Sequence, residues 1–212
     1  MLEFDSFDEL NDFVGLNRSE NFKDYFDAMD LSEEDKEKRI SLAEKLEDGF
    51  LPILALLFTL QQYREEIDWE AIQLRFEIAY RNALAGVISA DNYLRQYIRQ
   101  FSYDVLDSTQ NHMDDPFYFS LDRARLIAEN EANSSMNYSD FQSAILAGKS
   151  KKQWMDIRDR KERETHRKVG RTIKPIQAPF MVGNSFMLFP KDTSMGADME
   201  EIANCRCSIR YF

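Results

Sequence analysis

EIANCRCSIRYF, residues 201–212, holds both of the chain's cysteines, one residue apart. The run of Cys, Ile, Arg, Tyr and Phe with small polar residues between them reads as a strand closing a sheet. On a strand alternate side chains share a face, so Cys205, Cys207, Ile209 and Tyr211 are expected on one side and Arg206, Ser208 and Arg210 on the other. Free cysteine is among the most buried residue types, and the main expectation is two thiols packed as small hydrophobes, with no metal and no cofactor. Two other readings stay open. Thiolates and a histidine can hold zinc, and the chain has two histidines, His112 and His166. A cysteine can also act as a nucleophile with His166 as its base.

Working outward, residues 149–171 carry ten bases against four acids, whereas residues 1–48 carry sixteen acids against six bases. The whole chain has a formal charge of -11, which argues against wrapping nucleic acid. An acidic head and a basic segment predict two different surfaces. The basic segment reads either as a solvated face or as a contact with phosphate or an acidic partner, with Lys151, Lys152, Arg167, Lys168 and Arg171 the candidate phosphate contacts. MLEFDSFDELNDF shows neither a basic nor an apolar leader region, and FLPILALLFTL is too short to span a bilayer. No membrane association is expected.

Residues 1–30 form an acidic, aromatic-studded lead. Segments of this composition are often disordered alone and order on a partner, which makes Phe4, Phe7 and Phe13 candidate anchors; the alternative is that they pack back onto the helices. A helix start follows at LSEED, with Ser32 as cap and Ile40, Ala43, Leu46 and Phe50 at helical spacing. Pro52 is expected to kink or restart it. Asp68 and Asp91 open further helices, the first with Ile72, Phe76, Ala79, Ala83 and Val87 on one side, the second with Leu94, Tyr97, Ile98, Phe101 and Val105. Pro116 marks a break and Gly148 a stop. Beyond Gly148, KKQWMDIRD reads as a strand, RKERETHRKV as a turn or short helix, and PFMVGNSFMLFP as a hairpin around Gly183 and Asn184. The fold class is therefore α+β: a helical bundle or extended helices, then a small antiparallel-sheet domain, with segments 1–30, 31–148 and 149–212.

The final third resembles a known family. Trp154, Asp159, Arg163, His166, Gly170, Phe180, Gly183, Pro190 with Asp192, and the closing Asn204, Cys205, Arg206 and Cys207 match in order and spacing the C-terminal domain of phage head morphogenesis proteins, the Mu F-like minor head proteins. RARLIAENEANSSMNYSDFQSAILAG is similar to the helix preceding that domain, so the resemblance covers roughly residues 122–212. Lys191 stands where the family usually has glycine. The resemblance implies a minor capsid protein of a tailed phage or prophage, found in the virion and, during assembly, in the host cytoplasm. It implies association with the portal protein and other head proteins, with packaged DNA a further partner through the basic segment.

The same residues have physical jobs: Trp154 to anchor a small core, Asp159 to pair with Arg163 if the stretch is helical, Asn204 to tie a turn. His166 reads as a structural histidine. The alternative is a nuclease or toxin-like effector, because the domain is similar in outline to barnase-like ribonucleases; His166 would then be the acid or base and Arg163, Arg206 or Arg210 would steady the phosphate.

Overall fold

A computed structural model describes residues 4–14, 22–89 and 91–212. The chain is α+β, with helices first and a small antiparallel sheet at the end. Helices α1 (Phe7–Val14), α2 (Lys23–Asp27), α3 (Glu33–Gln62), α4 (Trp69–Leu84), α5 (Asn92–Gln110) and α6 (Leu121–Leu146) precede β1 (Lys151–Met155), α7 (Glu164–Val169), β2 (Ile173–Pro175), β3 (Phe180–Val182), β4 (Ser185–Met187), α8 (Met199–Ile202) and β5 (Ser208–Tyr211). No described helix is long and apolar enough to cross a membrane. Two compact units result, one from residues 1–20 and 41–128, the other from residues 21–40 and 129–212. The change from helix to strand at Gly148 and the division into units are thus different boundaries, because α3 and α6 each contribute to both units.

The helical stripes dictate the first unit. The Asp68 and Asp91 carboxylates accept from the backbone N–H of Ala71 and Leu94, at 3.0 and 2.9 Å, satisfying donors that a helix start leaves open. Phe50, Phe76, Tyr80 and Phe101 then meet ring to ring, Phe50 lying 5.2 Å from Phe76 and Tyr80 5.4 Å from Phe101. Gly49 lets α3 and α4 approach: a β-carbon there would stand 3.1 Å from that of Ala79. Tyr80 is buried where Val87 was expected, since the helix ends at Leu84 and Val87 lies beyond it.

One expectation needs correction in this unit, and of the two readings left open for the lead its described aromatic residues favour the one in which they pack back. α3 runs through Pro52 without restarting. Proline forfeits one backbone hydrogen bond, but Leu46, Phe50, Leu54 and Leu57 on either side are fully buried, and packing holds the turn. The lead is helical in its described part and turns inward. Phe7 lies tilted 5.9 Å from Phe58, Phe4 6.4 Å from Phe58, and Leu10 is buried, while Phe13 is 54% exposed. Residues 1–3 and 15–21 of the lead lie outside the described residues.

In the second unit the sheet has the order β2-β1-β5, antiparallel throughout, with Trp154 opposite Ile209 and Gln153 opposite Ile173. The hairpin expected at Gly183 and Asn184 is present: β3 pairs with β4, and Gly183 takes a φ of +59°. Glycine at the first of two connecting residues is what a type II′ turn demands. The strand at the C-terminal end is shorter than expected. Cys205, Arg206 and Cys207 precede it, because β1 pairing stops at Met155 opposite Ser208.

Candidate functional site

Cys205 and Cys207 are both buried, with Arg206 partly buried between them and turned to Asp159, so the two thiols share a side ahead of the strand. One side of the thiols is apolar, formed by Trp154, Val169, Phe180, Val182 and Met187. The other side is the imidazole of His166. Its Nδ1 lies 3.4 Å from the Cys207 sulfur and 3.6 Å from that of Cys205. This corrects the reading of the sulfurs as filler alone: α7 delivers its one histidine to both.

The opposite ring nitrogen is also held. His166 Nε2 donates to Glu201 Oε2 at 3.0 Å, and the Thr165 hydroxyl donates to the same oxygen at 2.8 Å. Glu201 sits in turn against the hairpin, where a β-carbon on Gly183 would meet its Oε1 at 2.2 Å. Gly183 is therefore required twice, for its positive φ and for the space that the carboxylate fills. Gly170 has the same function on the other side of α7, since a β-carbon would strike the carboxylate of the buried Asp156 at 2.4 Å.

A row of asparagines on α6 fixes the backbone of the cysteines. Asn130, Asn133 and Asn137 recur at i, i+3 and i+7 and so share one helix face. Asn133 Nδ2 donates to the Cys205 carbonyl at 3.0 Å, and Asn137 Nδ2 to that of Cys207 at 3.2 Å. Asn130 Oδ1 accepts from Asn204 N at 2.9 Å and from Lys191 Nζ at 2.6 Å. Arg39, fully buried, donates to the Oδ1 atoms of Asn133 and Asn137, which turns their amide nitrogens toward the cysteine carbonyls, and it pairs with Asp140 at 2.8 Å. Tyr25 adds its hydroxyl to the Cys205 carbonyl at 3.2 Å. Sequence reading missed this row. The signal was the asparagine periodicity within ENEANSSMNYSD, a polar stripe on a helix otherwise rich in alanine and aromatic residues.

Most residues singled out earlier converge here, in other pairings than expected. Asp159 and Arg163 do not pair, because residues 156–163 are not helical. Asp159 instead binds Arg206 at 2.6 Å, and Arg163 donates to the Ala203 carbonyl at 2.5 Å. Asn204 takes a φ of +53°, but its side-chain oxygen accepts from Asn130 Nδ2 at 2.9 Å, a bond to α6 and not the local tie expected of it. Lys191 takes a φ of +69°, the left-handed conformation that glycine adopts most easily, so the turn before Asp192 keeps a glycine-like backbone. Asp192 then bonds the backbone N–H of Leu188 at 2.8 Å and of Ser194 at 2.9 Å.

The electrostatics follow from the crowding. A hydrogen bond from Cys207 holds the Cys205 thiol well below its ordinary pKa, with the His166 ring assisting and burial opposing. That same bond, together with burial, pushes Cys207 up. Burial pulls His166 down, but its hydrogen bond to Cys205 and the charge there override it and leave its pKa raised. Beside the ring and sulfurs is a cavity of about 20 Å³, lined also by Glu162, Arg163 and Arg206.

The basic segment needs a correction. Lys152 is buried, its Nζ bonded to the Leu188 carbonyl at 2.5 Å and lying 5.1 and 5.2 Å from the rings of Phe141 and Phe180. It therefore cannot reach a phosphate. Arg171 pairs with Asp30 and Asp156, Arg167 with Glu162, and Lys168 with Glu164, so acids within the same unit already balance most of these bases. Lys151 is exposed.

Lys152 gives a pH prediction. Burial lowers its pKa to about 8, against the opposing charge of Asp192, whereas an unfolded lysine titrates near 10.4. Between those values the unfolded chain binds more protons, so the contribution of Lys152 to stability rises with pH across that window. Lys152→Met lacks this term. Its stability relative to the wild type is expected to fall by about 2 kcal/mol as pH rises from about 8 to about 10. Denaturant titrations of both proteins at three pH values measure it, and parallel pH curves would refute it.

Comparison of the chain with protein-family models, with curated proteins and with solved structures finds no match.

Proposed function

We propose that the chain is a minor head protein of a tailed phage or prophage, which associates with the portal vertex during head assembly. The supporting observation is that several of the residues carrying the resemblance to Mu F-like proteins gather around the terminal Asn-Cys-Arg-Cys run. Trp154, Arg163, His166 and Gly183 are spread over 30 positions, yet each bears directly, or through Glu201, on residues 203–207. A spacing pattern with a structural reason at each position supports kinship better than a coincidence of residue types.

The nuclease alternative gains no support. A general acid or base must come within hydrogen-bond reach of the substrate, and His166 is 2% exposed with both ring nitrogens engaged. Arg163 is occupied by a backbone carbonyl. Contact with DNA, on this reading, falls to exposed bases such as Lys151 and Lys168 and is weak and salt-sensitive.

Co-expression with the portal protein of the same phage or prophage, followed by sedimentation, tests the proposal. The two are expected to travel together. Two species running separately at micromolar concentration would count against it.

A further inference from the structure

We propose that His166, Cys205 and Cys207 bind one zinc ion. All three side chains are buried, and their ligand atoms lie within 4.8 Å of one another. Zinc binds thiolate at about 2.3 Å and imidazole nitrogen at about 2.0–2.1 Å, which in a tetrahedron sets sulfur and nitrogen about 3.6 Å apart. The observed separations are 3.4 and 3.6 Å. Both nitrogen–sulfur separations therefore match two edges of a zinc tetrahedron with the ligand atoms at its corners.

Three independent features point the same way. Metal-binding histidines donate their other N–H to a carboxylate, which fixes the tautomer; here Nε2 donates to Glu201 Oε2, leaving the Nδ1 lone pair directed at the sulfurs. The indole N–H of the fully buried Trp154 lies near Cys207 and makes no hydrogen bond of good geometry among the described residues. A thiolate there gives that donor a strong acceptor. A cavity lined by all three ligand residues lies beside them and has room for about one water molecule. Glu162 lines it, and Glu162 Oε1 is buried without a hydrogen-bond partner among the described residues.

The surroundings favour zinc over harder cations. Two sulfurs and one nitrogen suit a borderline-soft metal, whereas calcium and magnesium require oxygen ligands. Loading is charge-balanced: both thiols ionise and release their protons to solvent, so the two thiolates offset the dication. Arg163 and Arg206 line the cavity but are already held by the Ala203 carbonyl and by Asp159, and Glu162 lines it too, so the fourth position suits a water. The site ties α7 to the terminal segment and does not depend on whether the portal reading holds.

The full chain, purified without chelator, is expected to contain one equivalent of zinc by elemental analysis. After exchange into cobalt(II) it should show thiolate-to-cobalt charge transfer and tetrahedral d–d absorption. Cys205→Ser and Cys207→Ser should each weaken the charge-transfer band, and Glu201→Gln should keep the band while lowering affinity about 10–100-fold. Should a cysteine variant fail to fold, the wild type suffices, because the chain has only two thiols. Both should resist alkylation when zinc is present and react after chelation. Absence of retained zinc and of cobalt bands at tens of micromolar metal, or thiol reactivity indifferent to chelator, would overturn the proposal.

Discussion

Arg39→Ala is expected to destabilise the second unit by about 3–5 kcal/mol, from two buried amide oxygens left without a donor and the void left behind. The guanidinium is fully buried and bonds three side chains at once, Asn133, Asn137 and Asp140. Its loss leaves two buried amide oxygens without a donor, at about 1–3 kcal/mol each, and a void where a large side chain stood. Asp140 is 37% exposed and can be solvated, so the damage falls mainly on the asparagines. These hold the Cys205 and Cys207 carbonyls, and the effect should therefore spread to the thiols. Arg39→Lys should be nearly as harmful, because one ammonium cannot span acceptors that a planar fork reaches. Denaturation followed by Trp154 fluorescence in a Trp69→Phe background reads this out. A loss below about 1 kcal/mol would mean that the three contacts contribute little.

What could be read from the chain, and what could not, divides by the range of the interaction. Asp68, Asp91 and Ser32 announce helix starts because a cap acts within three residues, and all three bond as expected. The hairpin at Gly183 is local in the same sense, since one glycine suffices to mark the turn. Lys152 shows the limit. Its sequence neighbours are basic and polar, so it reads as surface, yet the Phe141 ring and the Leu188 carbonyl that receive it are 11 and 36 positions away. Arg39 fails for the same reason, being a cation on a helix whose acceptors lie 94 to 101 residues further on.

The site was half legible. His166, Cys205 and Cys207 were each singled out, but a spacing of 39 and 41 positions carries no geometry. Only the three-dimensional path of α7 against the terminal segment puts the ring over both sulfurs. Asp159 illustrates the converse error: a four-residue spacing suggested an ion pair with Arg163, but such pairing requires a helix, and without one the carboxylate meets Arg206 instead. Glu201 could not be chosen over Glu200 from sequence, and it is the hairpin at Gly183 that makes room for the former.

Trp154→Ala should cost about 3–5 kcal/mol, the range for a fully buried aromatic truncated in a core. The indole has no exposure, lies edge-on to Phe180 at 5.3 Å and to His166 at 6.0 Å, and shares a cluster with Val169, Val182, Met187 and both cysteines. The comparison with Trp154→Phe makes the prediction sharper. Phenylalanine keeps most of the ring contacts and removes an N–H that is buried without a hydrogen-bond partner among the described residues, and deleting an unsatisfied donor recovers part of the cost of the smaller ring. In metal-free protein Trp154→Phe is therefore expected to lose no more than about 1–2 kcal/mol. With zinc bound the balance changes, because the same N–H then faces a thiolate and its removal forfeits a charge-assisted contact. The penalty of Trp154→Phe should thus be larger in zinc-loaded than in chelator-treated protein, measured by paired denaturant titrations. An equal penalty in both would separate the indole from the sulfur chemistry, and an alanine variant no worse than the phenylalanine one would show that the small core does not close around this ring.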